Sequence, residues 1–240
     1  MSNEILLKYP FAHRGLHNVK REIPENSLLA FSEAIKHGYA IELGIHLLQD
    51  NRIVIFHDDD LYRMTGKKGK IENFTYDEIK NLKLANTNQT IPLFKEALEV
   101  IKGQVPVIIE LKNSGNSIKL EKLTGDILRH YKGEYAIKSF NPISIWYFKK
   151  HFPKVMRGQL VSDFKNVSMN LFKKQLLKKM VFNFLTEPDF ISCDIKHLSD
   201  RKIQKIRKRK PVLGWVIKNQ KDLTTASKLC DNIIFEEIKP

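Results

Sequence analysis

The chain is poor in cysteine, in acidic residues and in long apolar runs. It holds two cysteines, Cys193 and Cys230, in 240 residues. That excludes a disulfide-stapled scaffold and most cysteine-rich zinc modules, and a reducing, cytoplasmic setting is the expectation. Both thiols read as small buried hydrophobes. No apolar run reaches the roughly eighteen residues a membrane-spanning helix requires. The opening Met1-Ser2-Asn3-Glu4 lacks a basic start followed by an apolar stretch, so no secretory signal is expected. No linker rich in Pro, Gly or Ser interrupts the chain and no internal repeat is visible, so residues 1–240 read as a single domain. Acidic residues number 27 against 41 Lys and Arg, a formal charge of +14. Such a balance attracts nucleic acid, anionic lipid or phosphorylated small molecules, and does not choose among them.

What is present is an alternation. Hydrophobic residues make up 42% of the chain, enough for a packed core and too many for a disordered one. Apolar, β-rich runs occur at Tyr9–Ala12, Ala40–Leu47, Ile53–Phe56, Val105–Leu111, Tyr135–Ile137, Val155–Val161, Phe190–Cys193, Val212–Ile217 and Ile233–Phe235. Helical patterns separate most of them, at Ser27–His37, Pro92–Ile101, Ile118–Tyr131, Pro142–His151, Leu171–Leu185, Asp200–Lys208 and Lys221–Leu229. Strands alternating with helices imply a parallel sheet with crossover helices. In a chain of this length they favour a closed (β/α)8 TIM barrel, an α/β fold, over a doubly wound sheet. One joint differs. Only Leu48-Gln49-Asp50-Asn51 separates the runs ending at Leu47 and starting near Ile53, too few residues for a parallel crossover. An antiparallel hairpin-like joint after the second strand follows, with Asp50-Asn51 as its turn.

Barrel active sites lie at the C-terminal ends of the strands. The first run ends in His13-Arg14-Gly15 and the second carries Glu42 and His46 on one face with Gly44 between. The third ends in His57-Asp58, and the fourth in Glu110-Leu111-Lys112. Residues two apart on a strand share a side, so Glu110 and Lys112 point together. Two histidines can divide proton work, one accepting from a nucleophile and the other donating to a leaving oxygen. Carboxylates on neighbouring strands can hold Mg²⁺ or Ca²⁺. Arg14 and Lys112 can hold a phosphate.

The succession is specific. Phe11-Ala12-His13-Arg14-Gly15 followed by Ile23-Pro24-Glu25-Asn26-Ser27-Leu28-Leu29-Ala30-Phe31 resembles the opening of the glycerophosphodiester phosphodiesterase family, in which an HRG element precedes a PENT-like element and an ExD strand. The likeness continues through Ile41–Leu47, Ile55-Phe56-His57-Asp58, Leu61–Gly66, Ile91–Phe94 and Ile109-Glu110-Leu111-Lys112, with weaker echoes near Phe140, Trp215 and Ile233. The resemblance implies a (β/α)8 barrel that hydrolyses a glycerophosphodiester to glycerol 3-phosphate and an alcohol. His13 and His57 match the acid and base, which of them is which being left open. Arg14 and Lys112 match phosphate contacts, and Glu42 and Glu110 match two of three acidic metal ligands. Trp215 is either barrel filling or a wall of the substrate pocket. The metal implied is a divalent cation, Mg²⁺ or Ca²⁺, and the substrate a small glycerophosphodiester or a lysophospholipid.

The third ligand is missing: Gly44 stands where the family has Asp. Divalent affinity follows the count of charged ligands, so the site is expected to be weakened, completed by His46 or Asp59, or reduced to phosphate or headgroup binding without turnover. Asp58 reads as a partner that orients His57. Glu25 and Asn26 read as ties at a helix start, and His17, His37, His130, His151 and His197 as surface residues. The basic stretch Arg201–Lys210 has no interleaved aromatic platform, so it reads as a solvated helix and no nucleic acid partner is expected. In Leu171–Phe182, apolar pairs alternate with lysine pairs, which reads first as a helix covering the barrel, with peripheral contact at an anionic membrane as the alternative.

Overall fold

A computed structural model describes residues 1–163 and 180–240. Eight parallel strands close into a barrel: β1 (Phe11–His13), β2 (Ala40–Leu47), β4 (Val107–Leu111), β5 (Tyr135–Ser139), β6 (Met156–Val161), β7 (Phe190–Asp194), β8 (Val212–Ile217) and β9 (Asn232–Phe235). Closure is direct, since β1 pairs in parallel with both β2 and β9. β3 (Ile53–Ile55) lies outside this ring, antiparallel to the end of β2, with Ile45 opposite Ile55 and Leu47 opposite Ile53. The hairpin turn is the expected one: Asn51 adopts a positive φ of 66° and its N–H reaches Leu48 O at 3.0 Å. The first strand begins two residues later than its apolar run, because Tyr9 and Pro10 are the exit from a short N-terminal helix, Asn3–Lys8.

The strands are apolar throughout because both faces are buried. Outward residues such as Ile41, Leu43, Ile109 and Ile191 meet Phe31, Phe94 and Phe148 from the surrounding helices. Inward residues form a separate plug, one from each barrel strand: Phe11, Ala40, Ile108, Ala136, Met156, Phe190, Leu213 and Ile234. Leu6 from the N-terminal helix joins this plug and closes the bottom of the bore.

The helices sit where their caps and apolar spacing put them. Ser27 accepts the Ala30 N–H at 3.1 Å and starts the helix Leu28–Lys36, which buries Ala30, Phe31 and Ala34. The Asn141 side chain accepts from Ile143 N, and Pro142 occupies the first turn of Pro142–His151. Arg201–Arg207 is a barrel helix that buries Ile203. Between β3 and the helix Phe94–Ile101 the chain makes an excursion through two short helices, Tyr62–Thr65 and Tyr76–Ile79, around its own apolar cluster that includes Phe56, Leu61, Ile71 and Ile79. Most of the Leu171–Phe182 stretch lies outside the described residues. Among the described residues no helix is long and apolar enough to cross a membrane.

Packing in the bore is tight at β6. A Cβ on Gly158 would lie 2.3 Å from the ring of the fully buried Phe190. Gly158→Ala is expected to destabilise the fold by about 1–3 kcal/mol through overpacking, measured as a lower denaturation midpoint with unchanged slope.

Candidate active site

The apolar plug determines what stands above it. Two residues further along each strand, side chains return to the same side of the sheet. From Phe11, Ala40, Ile108 and Ala136 this step leads to His13, Glu42, Glu110 and Lys138. From Leu213 and Ile234 it leads to Trp215 and Glu236. These are the C-terminal strand ends, so one layer of the bore is apolar and the next is charged. A further step brings Gly44 and Lys112 to the rim.

Both histidines are oriented by carboxylates on Nδ1. His13 Nδ1 lies 2.5 Å from Glu236 Oε2, and His57 Nδ1 lies 2.7 Å from Asp58 Oδ1. A carboxylate accepts, so each ring carries its proton on Nδ1 and leaves Nε2 for chemistry. The rings stand edge to face with centroids 6.1 Å apart. Burial, reinforced by the nearby charge of Lys112, lowers His57 to about 4 against the opposing bond to Asp58, so its imidazole is neutral at neutral pH. Glu236 is also held by Lys218 at 2.5 Å. Burial would raise its pKa, but the bonds from His13 and Lys218 hold it well below the usual carboxylate range.

The two glutamates are paired with ammonium groups. Glu42 Oε1 meets Lys138 Nζ at 2.7 Å, and its Oε2 accepts the Arg14 backbone N–H at 3.2 Å. Glu110 Oε1 meets Lys112 Nζ at 2.8 Å. Burial works against both carboxylates, and the lysine charges overcome it: Glu42 falls to about 2, mainly through Lys138, and Glu110 is lowered, mainly through Lys112. Among the described residues no group of three or more His, Cys, Asp or Glu side chains is placed to hold a metal ion.

Arg14 is fixed from the other side. It sits at φ 59° in a turn whose next residue, Gly15, passes so close to Ala30 that a Cβ would lie 2.9 Å from it. Arg14 Nη1 donates to Glu25 Oε1 at 2.6 Å. Arg63 bridges the same Glu25 (2.7 Å) to Asp58 (2.5 Å), so a continuous ionic chain runs from His57 through Asp58, Arg63 and Glu25 to Arg14. Arg14 Nε is buried with no hydrogen-bond partner in the protein.

The structure thus brings together His13, Arg14, Glu42, His57, Glu110, Lys112 and, half-buried against Phe140 at 6.1 Å, Trp215. Other expectations are corrected. His46 cannot complete a metal site at the mouth: beyond Gly44 the strand leaves the barrel for the hairpin, where His46 is opposite Val54, fully buried and nearest Glu72 at 3.8 Å. Asp59 is exposed. Asn26 does not cap the following helix. Ser27 does, while the Asn26 N–H binds Arg14 O at 2.8 Å. His17 is not a surface residue, since it packs 3.9 Å from Glu236, and His197 is half-buried beside Asp200. Sequence reasoning missed Lys138, Glu236 and Arg63. Continuing the two-residue step through Ala136-Ile137-Lys138 and Ile234-Phe235-Glu236 finds the first two, but nothing local marks Arg63.

Comparison with known proteins agrees with this geometry. Residues 13–234 match the glycerophosphoryl diester phosphodiesterase family. A glycerophosphodiester phosphodiesterase of Bacillus altitudinis is 33% identical over 165 residues, 64% of this chain and 66% of that protein. A putative glycerophosphodiester phosphodiesterase of Bacillus subtilis is 26% identical over 92% of this chain and 89% of its own length. The fold is similar to that of an Oleispira antarctica phosphodiesterase solved with the product sn-glycerol 3-phosphate, with a TM-score of 0.80 and 23% identity over 96% of this chain and 93% of that one.

The ionic chain has a pH signature. Burial would raise Glu25, but the hydrogen bond from Arg63 and the charge of Arg14 bring it down to about 2. Its stabilisation is full above the unfolded carboxylate value and is lost as pH falls through the folded one. Stability of the wild type is therefore expected to fall more steeply than that of Glu25→Gln between about pH 4.5 and 2, by up to about 3 kcal/mol, in denaturant titrations at stepped pH.

Proposed function

The chain belongs to the glycerophosphoryl diester phosphodiesterase family, and from that premise we propose that it is an enzyme hydrolysing glycerophosphodiesters to sn-glycerol 3-phosphate and an alcohol. The observation that carries the reading is the facing pair of carboxylate-backed histidines beside Arg14 and Lys112. A diester phosphate in the mouth meets the Arg14 guanidinium, whose Nε is free of any protein partner, and the Lys112 ammonium. These donors offset the charge that develops on the phosphoryl oxygens. Neutral His57 takes a proton on Nε2 from the nucleophile, which is water, or the glycerol 2-hydroxyl followed by a second step in which water opens the cyclic phosphate. The bond from phosphorus to the departing alcohol breaks as His13, which enters this step as an imidazolium with a second proton on Nε2 and Glu236 on Nδ1, gives that Nε2 proton to the oxygen. Asp58 and Glu236 hold each ring and favour the imidazolium once it forms. Trp215 forms a wall of the mouth.

The residues present do not fit the divalent cation that the family resemblance implies. Gly44 offers no ligand, and Glu42 and Glu110 are already neutralised by lysines. No step is routed through a metal. A second reading rests on the same Gly44: a homologue that binds glycerol phosphates without turnover. Release of sn-glycerol 3-phosphate from a panel of glycerophosphodiesters and lysophospholipids, in EDTA and with Mg²⁺, Ca²⁺ or Mn²⁺, separates the two. Calorimetric binding of sn-glycerol 3-phosphate with no release from any substrate would establish the second.

His13→Ala and His57→Ala are each expected to lower kcat by about 10²–10⁴-fold, and near wild-type rates in both would sink the assignment. With His57 as the base, its neutral form is the active one. The acid limb of kcat/KM is therefore expected to bend at about pH 4, well below an unperturbed histidine, and a bend near pH 6.5 would assign the base elsewhere.

A further inference from the structure

We propose that Lys138 is a resident cation in this mouth, standing on Glu42 in place of the divalent ion. The inference rests on the phosphodiesterase reading for its substrate, and on geometry for everything else. Lys138 is nearly fully buried, and its Nζ lies 2.7 Å from Glu42 Oε1. The other oxygen of Glu42 is taken by the Arg14 N–H. A metal ion at Glu42 would have to displace an ammonium that has no solvent to move into. Lys138 is the strand partner of Glu110 on one side and of Gly158 on the other. Gly158 brings no side chain, so Glu42 and Glu110 are the carboxylates the ammonium faces.

Gly44 belongs to the same arrangement. A Cβ there would lie 3.0 Å from Lys112 Cε and 3.0 Å from the Phe56 carbonyl oxygen. A side chain starting there would be close against the stem of Lys112 as it crosses to Glu110, and one of the two would have to give by a few tenths of an ångström. Two carboxylates then face two ammonium groups, and the cluster is neutral without any added ion. A dication placed there would be held by too few charges and opposed by two like ones. The acid absent at position 44 and the buried ammonium of Lys138 together leave no uncompensated charge for a dication to balance. The cation is covalently tethered, carries a single charge and does not exchange with solution.

The test is metal binding, read independently of turnover. The EDTA-stripped full chain is titrated with Mn²⁺ and followed by electron paramagnetic resonance. The wild type is expected to bind no Mn²⁺ into the millimolar range. Lys138→Gln, which frees Glu42, is expected to gain Mn²⁺ affinity by roughly tenfold or more, and Lys138→Gln with Gly44→Asp to gain more again. Stoichiometric submillimolar Mn²⁺ binding by the wild type that disappears in Glu42→Gln would overturn the proposal, as would a well-folded Lys138→Gln/Gly44→Asp protein that binds no more Mn²⁺ than the wild type. If the lysine variants fail to fold, the wild-type titration still decides. Failure of the phosphodiesterase reading would appear instead as no release from any substrate, with the Mn²⁺ result unaffected.

Discussion

The bore of an eight-stranded barrel is only wide enough to be filled by its own side chains. Inward side chains from alternate strands therefore stack in layers, and along each strand a side chain returns to the bore every second residue. Once Phe11, Ala40, Ile108, Ala136, Met156, Phe190, Leu213 and Ile234 seal the lower level, the next inward level is also the last before solvent. Whatever occupies it is crowded into one small space and half withdrawn from water. His13, Glu42, Glu110, Lys138, Trp215 and Glu236 share that level, so no member can be understood alone.

Crowding of charges in a poorly solvated space makes pairing compulsory. An unpaired buried carboxylate or ammonium is far more costly than an exposed one. Each ionised group in the mouth accordingly has a partner: Glu42 with Lys138, Glu110 with Lys112, Glu236 with Lys218 and His13, and Asp58 with Arg63 and His57. The pairs are linked, because Glu25 holds both Arg14 and Arg63. This linkage carries the orientation of His57, on the loop after β3, to the position of Arg14, on the loop after β1. Proton transfer and phosphate binding are thus set by one connected set of contacts, drawn from loops about forty residues apart in the chain.

Much of the fold was legible because burial on both faces turns a strand into a continuous apolar run, and because caps mark helix starts. Ala40–Leu47, Val212–Ile217 and Pro142–His151 read directly, and the hairpin after β2 followed from a joint too short for a crossover. Motif residues at the mouth were also legible, since His13-Arg14 and Glu110-x-Lys112 lie close in sequence. Their partners were not. Lys138 meets Glu42 across the bore, and Glu236 meets His13 only because β9 returns to β1. Those contacts depend on closure and register, which no local pattern displays. The short helices of the excursion carry Arg63 and were invisible for a different reason: four-residue helices have no full period of apolar spacing to read. His46 misled because alternation continues along a strand even where the strand has left the barrel.

A tethered ammonium differs from a bound dication in ways that shape the rest of the site. It supplies one charge instead of two, and it holds oxygens by hydrogen bonds and not by coordination. The recognition of phosphate therefore falls more heavily on side chains that approach from the rim. Arg14 suits that role because its guanidinium is planar and permanently charged, and because one edge is anchored to Glu25 while Nε remains without a partner. Lys112 suits it because its stem crosses the open backbone of Gly44, which brings its ammonium to Glu110 at the lip of the bore. A Cβ at position 44 would crowd that stem at 3.0 Å. The glycine that appears in the sequence as the loss of a ligand lies, in three dimensions, against the stem of the lysine that pairs with Glu110.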